Sequence, residues 1–111
     1  MYWASRVLTW RNGKNEIKIP IQVTAPLPDG RGAWACKYEI DWPGDKRMAT
    51  ATGIDSMQAI ILALQMIGSE VYSSEYHKSG NLFFDAAGRG YGFPVAGELR
   101  DLLIGDDRRY M

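Results

Sequence analysis

The sequence predicts an α+β domain: a four-stranded antiparallel β-meander covered on one face by one long α-helix, followed by a short C-terminal hairpin and a short helix. Three observations carry this prediction. Residues 16–24 and 33–42 alternate apolar and polar with the period of two that marks a half-buried strand. Turn signals, Asn12-Gly13 and Pro43-Gly44-Asp45, separate the apolar runs. GIDSMQAIILALQMIG, residues 53–68, then opens on a helix cap and stays apolar around more than one stripe.

Taken in order, SRVLTW (5–10) is the first strand and turns through Asn12-Gly13, a pair that accepts the φ angles of a tight hairpin. In the second strand Ile17, Ile19, Ile21 and Val23 share one face. Pro20 has no N–H for a ladder, which predicts an edge position or a bulge. The loop APLPDGRG (25–32) leads to a third strand with Trp34, Cys36, Tyr38, Ile40 and Trp42 on one face, and a fourth runs from about Arg47 to Thr52. Asp55 is a good N-cap, and Gln58 three residues on completes a capping box. Met57, Ile60, Leu64, Ile67 and Val71 form the stripe expected to lie on the sheet. Ile61 and Leu62 fall outside it, near Gln65. A helix apolar beyond one stripe is buried on a second side, either by the chain's own residues 80–104 or by a second copy or partner. Self-coverage is the favoured expectation.

One domain is expected for 1–111, with the core at about 3–95 and a C-terminal short helix and tail at 96–111. Hydrophobic content of 46%, with four Trp, six Tyr and three Phe, supplies a core without staples. Thirteen basic residues balance 13 acidic ones, so no net field attracts nucleic acid or an anionic membrane. The N-terminal MYWASRVLTW lacks a signal-peptide layout, and the longest apolar run, Ala59 to Leu64, falls far short of the roughly 18 residues a span requires. A cytoplasmic location follows as the expectation. One cysteine and one histidine make no metal site, and no cofactor is expected.

The search for chemistry yields candidates but no catalytic constellation. His77 lies in the polar stretch YSSEYHKSG and reads as a solvated loop residue. Cys36, on an apolar strand face, reads as core. Gly88-Arg89-Gly90-Tyr91-Gly92 could cradle an anion on backbone N–H groups with Arg89 in support, but the flanks lack the strand and helix of a dinucleotide fingerprint, so a flexible turn between short strands is expected. Asp106-Asp107-Arg108-Arg109 looks like solvated, self-pairing charge.

The pattern Trp34-x-Cys36-x-Tyr38-x-Ile40 followed by Gly53-x-Asp55-Ser56-x-Gln58-Ala59 resembles a family of small bacterial proteins classed as a domain of unknown function, and Gly92-Phe93-Pro94 is similar to the way those proteins end their core. The resemblance covers most of residues 5–94 and implies bacterial origin and a compact α+β fold, with no activity attached. A shorter stretch, Gly53, Asp55, Gln58 and Ala59, resembles the Gly-x-Thr-x-x-Glu-Ala helix start of HicB-type antitoxins. Asp and Gln replace Thr and Glu there, and no DNA-binding segment is recognisable after residue 94.

The resulting expectation is a non-enzymatic cytosolic binding or accessory protein that engages itself, as a homodimer, or a protein partner through Ile61, Leu62 and Gln65. The alternatives are a small-ligand pocket or enzyme between the helix and residues 80–94, with Arg89, Tyr91, His77 and Asp85 as polar candidates, and an antitoxin- or immunity-like protein.

Overall fold

A computed structural model describes residues 2–111; Met1 lies outside them. The strands are β1 (Tyr2–Asn12), β2 (Asn15–Thr24), β3 (Leu27–Pro28), β4 (Trp34–Trp42), β5 (Asp45–Gly53) and β6 (Leu82–Phe83). The helices are α1 (Ser56–Ser73), α2 (Glu75–Lys78), a 3₁₀ turn (Gly97–Leu102) and α3 (Gly105–Tyr110). β1, β2, β4 and β5 form the antiparallel meander, and β6 adds antiparallel to the free edge of β1. β5 runs along the whole of one edge of β4, so β2 and the two-residue β3 share the other.

The alternation of the strands fixes which face is buried. Register places Ile21 opposite Ile40, Val23 opposite Tyr38 and Cys36 opposite Ala51, so these residues share the face beneath α1. Leu8, Ile19, Cys36 and Ile40 there are fully buried. Side chains of this size each contribute about 1.5–3 kcal/mol on burial. Pro20 sits where the β2–β4 ladder, which begins at Ile21, has ended, so its missing N–H costs no bond to β4. The bulge falls elsewhere, in β1 between Tyr2 and Ala4.

Two features differ from the sequence expectation. The sheet-facing line of α1 is Ala59, Ala63, Ile67 and Val71, all fully buried, whereas Met57 is 70% exposed and Ile60 and Leu64 are half-buried. Small side chains let the start of the helix settle close to the sheet, where a Cβ on Gly53 would stand 2.6 Å from the Ala59 nitrogen. In place of a self-paired C-terminal hairpin, Leu82 and Phe83 pair with Trp10 and Thr9 of β1. A single bridge between Phe84 and Ala86 marks the turn that follows.

Around Gly68 the second side of α1 is covered by its own chain, while Ile61 nearer the start is 48% exposed and Leu62 and Gln65 are half-buried. A Cβ on Gly68 would stand 1.7 Å from the carbonyl oxygen of Pro94, so the strap carrying Phe93, Pro94 and Val95 lies directly on the helix. Only a glycine admits that approach. At the end of the sheet Tyr76 of α2 stacks on Trp42 (4.9 Å between centroids) and meets Trp10 edge-on (4.8 Å), turning a stretch that reads as polar loop into part of the core boundary.

Candidate functional site

The Gly-rich loop and the C-terminal segment meet over the end of α1. Gly90 and Gly92 have φ of 88° and 77°, which turn successive N–H groups to one side of the chain. There they meet Asp107, which is 1% exposed. Its Oδ2 accepts from Tyr91 N–H (2.8 Å) and from the Tyr72 hydroxyl (2.6 Å), and its Oδ1 accepts from Gly92 N–H (2.6 Å). On the other side of the loop Arg6 donates to the carbonyl oxygens of Tyr91 and Gly92, each at 2.9 Å. The peptide between Tyr91 and Gly92 therefore links a guanidinium to a carboxylate. Arg6 is itself packed over the rings of Phe84 (4.5 Å) and Phe93 (5.1 Å).

Beside this clasp lie three rings. Tyr72, His77 and Tyr91 pack edge-to-face with centroids 4.9–5.5 Å apart. Burial, and then the Asp107 charge, pushes the Tyr91 pKa up to about 12, so its hydroxyl stays protonated, lying 2.5 Å from Nδ1 of His77 and 3.5 Å from the Leu82 carbonyl oxygen. Burial lowers the His77 pKa, which favours the neutral ring. Burial, and then the hydrogen bond to Asp107, raises the Tyr72 pKa as well. His77 is thus half-buried on a short helix capped by Ser74, whose Oγ accepts the His77 N–H (3.1 Å), and is not the solvated loop residue its neighbours suggest. Among the described residues no buried side-chain polar atom lacks a partner.

The four ligand candidates from the sequence do not line one pocket. His77 and Tyr91 bond each other beneath the loop. Arg89 pairs with Asp106 (2.8 Å) at the surface, and with Asp85 it borders a cleft of about 130 Å³ beside Gly90 and Asp107. Asp85 has φ of 63° at the centre of a three-residue turn closed by Ala86 N–H on the Phe84 carbonyl (2.7 Å). The cleft between helix and loop is a different one, about 180 Å³, bordered by Arg6, Ile21, Val23, Leu64 and Phe93. Asp107, read from sequence as solvated charge, is the buried centre of the arrangement. The loop read as a flexible turn does hold an anion, and the anion belongs to the chain. Cys36 is core as expected, its thiol pKa raised by burial. Among the described residues no group of three or more His, Cys, Asp or Glu could hold a metal ion. No described helix is long and apolar enough to cross a membrane.

The interface candidates fall on two surfaces. Leu62 and Gln65 are half-buried and border a groove of about 340 Å³ with Tyr38, Arg47, Met66 and Glu70. In it the Tyr38 hydroxyl and Arg47 (2.9 Å) both bind the Glu70 carboxylate. Ile61, 48% exposed, belongs instead with Met57 on an open ridge. Sequence reasoning missed the opposite face of the sheet. There Tyr2, Trp3 (61% exposed) and Leu27 (65% exposed) surround a concavity of about 680 Å³. A second one of about 400 Å³, bordered by Met48, shares Tyr2, Thr24 and Lys37 with it. The signal lay in the register: Leu27 pairs with Ala35 and Tyr2 with Thr24, placing them on the side away from α1.

An antiparallel sheet under one long helix, closed by a C-terminal strap, defines a small α+β domain. The chain belongs to the family DUF6968, a domain of unknown function, whose profile matches residues 4–95. No curated protein and no solved structure matches the chain.

Proposed function

We propose that the chain is a non-enzymatic, cytoplasmic binding domain of bacterial origin that docks a protein partner on the sheet face opposite α1. The observation that carries this reading is the apolar surround of Trp3, Leu27 and Met48, each more than half exposed on one continuous concave face. An antiparallel sheet open to water normally alternates polar residues outward, so large apolar side chains grouped there suit a partner surface. The double variant Leu27→Ser/Met48→Ser tests this with a partner captured by a photo-cross-linker at Trp3 in cells. The variant keeps its melting temperature and loses the adduct; an undiminished adduct rejects the reading.

A second surface is favoured by a separate observation, the exposure of Ile54 (79%), Met57 (70%) and Ile61 (48%) at the start of α1. With Leu62 and Gln65 beside it, this ridge is the place for self-association or for a toxin-like partner if the domain works as an antitoxin or immunity protein. A cross-linker at Ile61 separates the two surfaces.

A further inference from the structure

Three donors converge on the carboxylate of Asp107: the Tyr72 hydroxyl and the N–H groups of Tyr91 and Gly92, within 2.6–2.8 Å. Both oxygens are engaged, and among the described residues no cationic side chain bonds them: Arg6 binds the far side of the loop and Arg89 binds Asp106. Three neutral donors spread over two oxygens suit the planar fork of a carboxylate. The loop also binds the main chain of its occupant, since Asp106 N–H donates to the Arg89 carbonyl at 2.9 Å. It sterically demands glycine two positions before the aspartate: a Cβ on Gly105 would lie 2.5 Å from the Arg89 carbonyl carbon. The occupant is therefore read as a peptide motif, Gly105-Asp106-Asp107.

All three donors lie inside the family span 4–95, whereas the acceptor comes from beyond it. Among the described side chains of 97–111, only Leu103 and Asp107 are buried. The receptor thus belongs to the domain, and its present ligand belongs to a short segment joined to it by Asp107, by the Asp106 N–H on the Arg89 carbonyl, by the Arg89–Asp106 ion pair and by the Ile104 N–H on the Tyr72 hydroxyl (3.3 Å). We propose that residues 90–92 with Tyr72 form a carboxylate-peptide binding site, that Asp107 is its displaceable intramolecular ligand, and that a partner's Gly-x-Asp segment takes its place in trans. The site lies across the core from the open sheet face, so it stands or falls independently of that reading.

Amide hydrogen exchange on the full wild-type chain is the first test. The Tyr91 and Gly92 amides exchange at least tenfold faster than those of the β2–β4 ladder, reporting release of the segment without global unfolding. Equal rates would overturn the proposal. The second test is titration of full-length Asp107→Ala, followed by the same two amide resonances, with the peptide LLIGDDRRYM. A saturable shift is expected, lost when the peptide's second Asp is replaced by Ala. No shift, or equal shifts with both peptides, overturns the proposal. Formate reproduces part of the shift, and inorganic phosphate acting more strongly than formate would overturn the carboxylate assignment. Should Asp107→Ala fail to fold, the exchange measurement on the wild-type chain decides alone.

Discussion

Gly68 and His77 show how single positions carry the fold. A methyl group at position 68 meets the Pro94 carbonyl at 1.7 Å, an overlap only backbone movement relieves. Gly68→Ala would gain roughly 1 kcal/mol of helix propensity. Against that stands overpacking, which typically costs about 1–3 kcal/mol and more where backbone must shift. The expected net result is a loss of about 2 kcal/mol, read from the urea midpoint, with lowered protection of residues 93–95. His77 gives a pH dependence of defined sign. Burial lowers its pKa from 6.5, so below that value the unfolded chain takes up a proton that the folded chain refuses. The stability this contributes is whole above pH 6.5 and is lost as pH falls from there through the lowered folded value. Denaturation midpoints measured between pH 7.5 and 5 should therefore fall on acidification, and His77→Gln should flatten that slope.

At the scale of elements, the start of α1 is set by a reciprocal pair that is shifted by one residue from the usual box. Asp55 Oδ1 accepts the Gln58 N–H at 2.7 Å, while the Gln58 side chain accepts from Ile54 N–H, also at 2.7 Å. Asp55→Ala should cost about 1 kcal/mol. Since α1 forms the lid of the core, the loss appears in global unfolding rather than as fraying alone. Gln58→Ala should cost less, and a double-mutant cycle measures their coupling. These signals were legible because capping and strand alternation are local: each depends on residues within a few positions. The helix register was not, because Ala59 and Ala63 carry little weight in an apolar stripe yet win the central place where helix and sheet approach closely, as at Gly53. Asp107 was hidden by its neighbours Asp106, Arg108 and Arg109, a run that looks self-neutralising. A Gly-rich loop shows that an anion can be held, but which anion depends on a contact 15 residues away in the chain.

For the whole molecule the question is whether the remaining apolar surface joins two copies. The second side of α1, the strongest reason in the sequence to expect a dimer, is occupied around Gly68 by Pro94 and by the strap with Tyr91, Phe93 and Leu103, all buried except the proline. What stays open is spread over the sheet face at Trp3 and Leu27, the ridge at Met57 and Ile61 on the opposite layer, and the C-terminal segment at Leu102 and Tyr110. A stable interface commonly buries about 800 Å² per partner, and an obligate homodimer more. Separated patches serve a foreign partner better than a self-complementary contact. Light scattering over a concentration series should therefore return a mass near 12.5 kDa throughout. A mass near twice that value would contradict the expectation, and paired variants then locate the contact. Leu27→Lys dissociates a dimer formed through the sheet, whereas Ile61→Lys dissociates one formed through the helix. Because the chain carries no net charge, the measurement belongs well away from its pI of about 6.6, where charge repulsion suppresses non-specific association without weakening a well-packed interface.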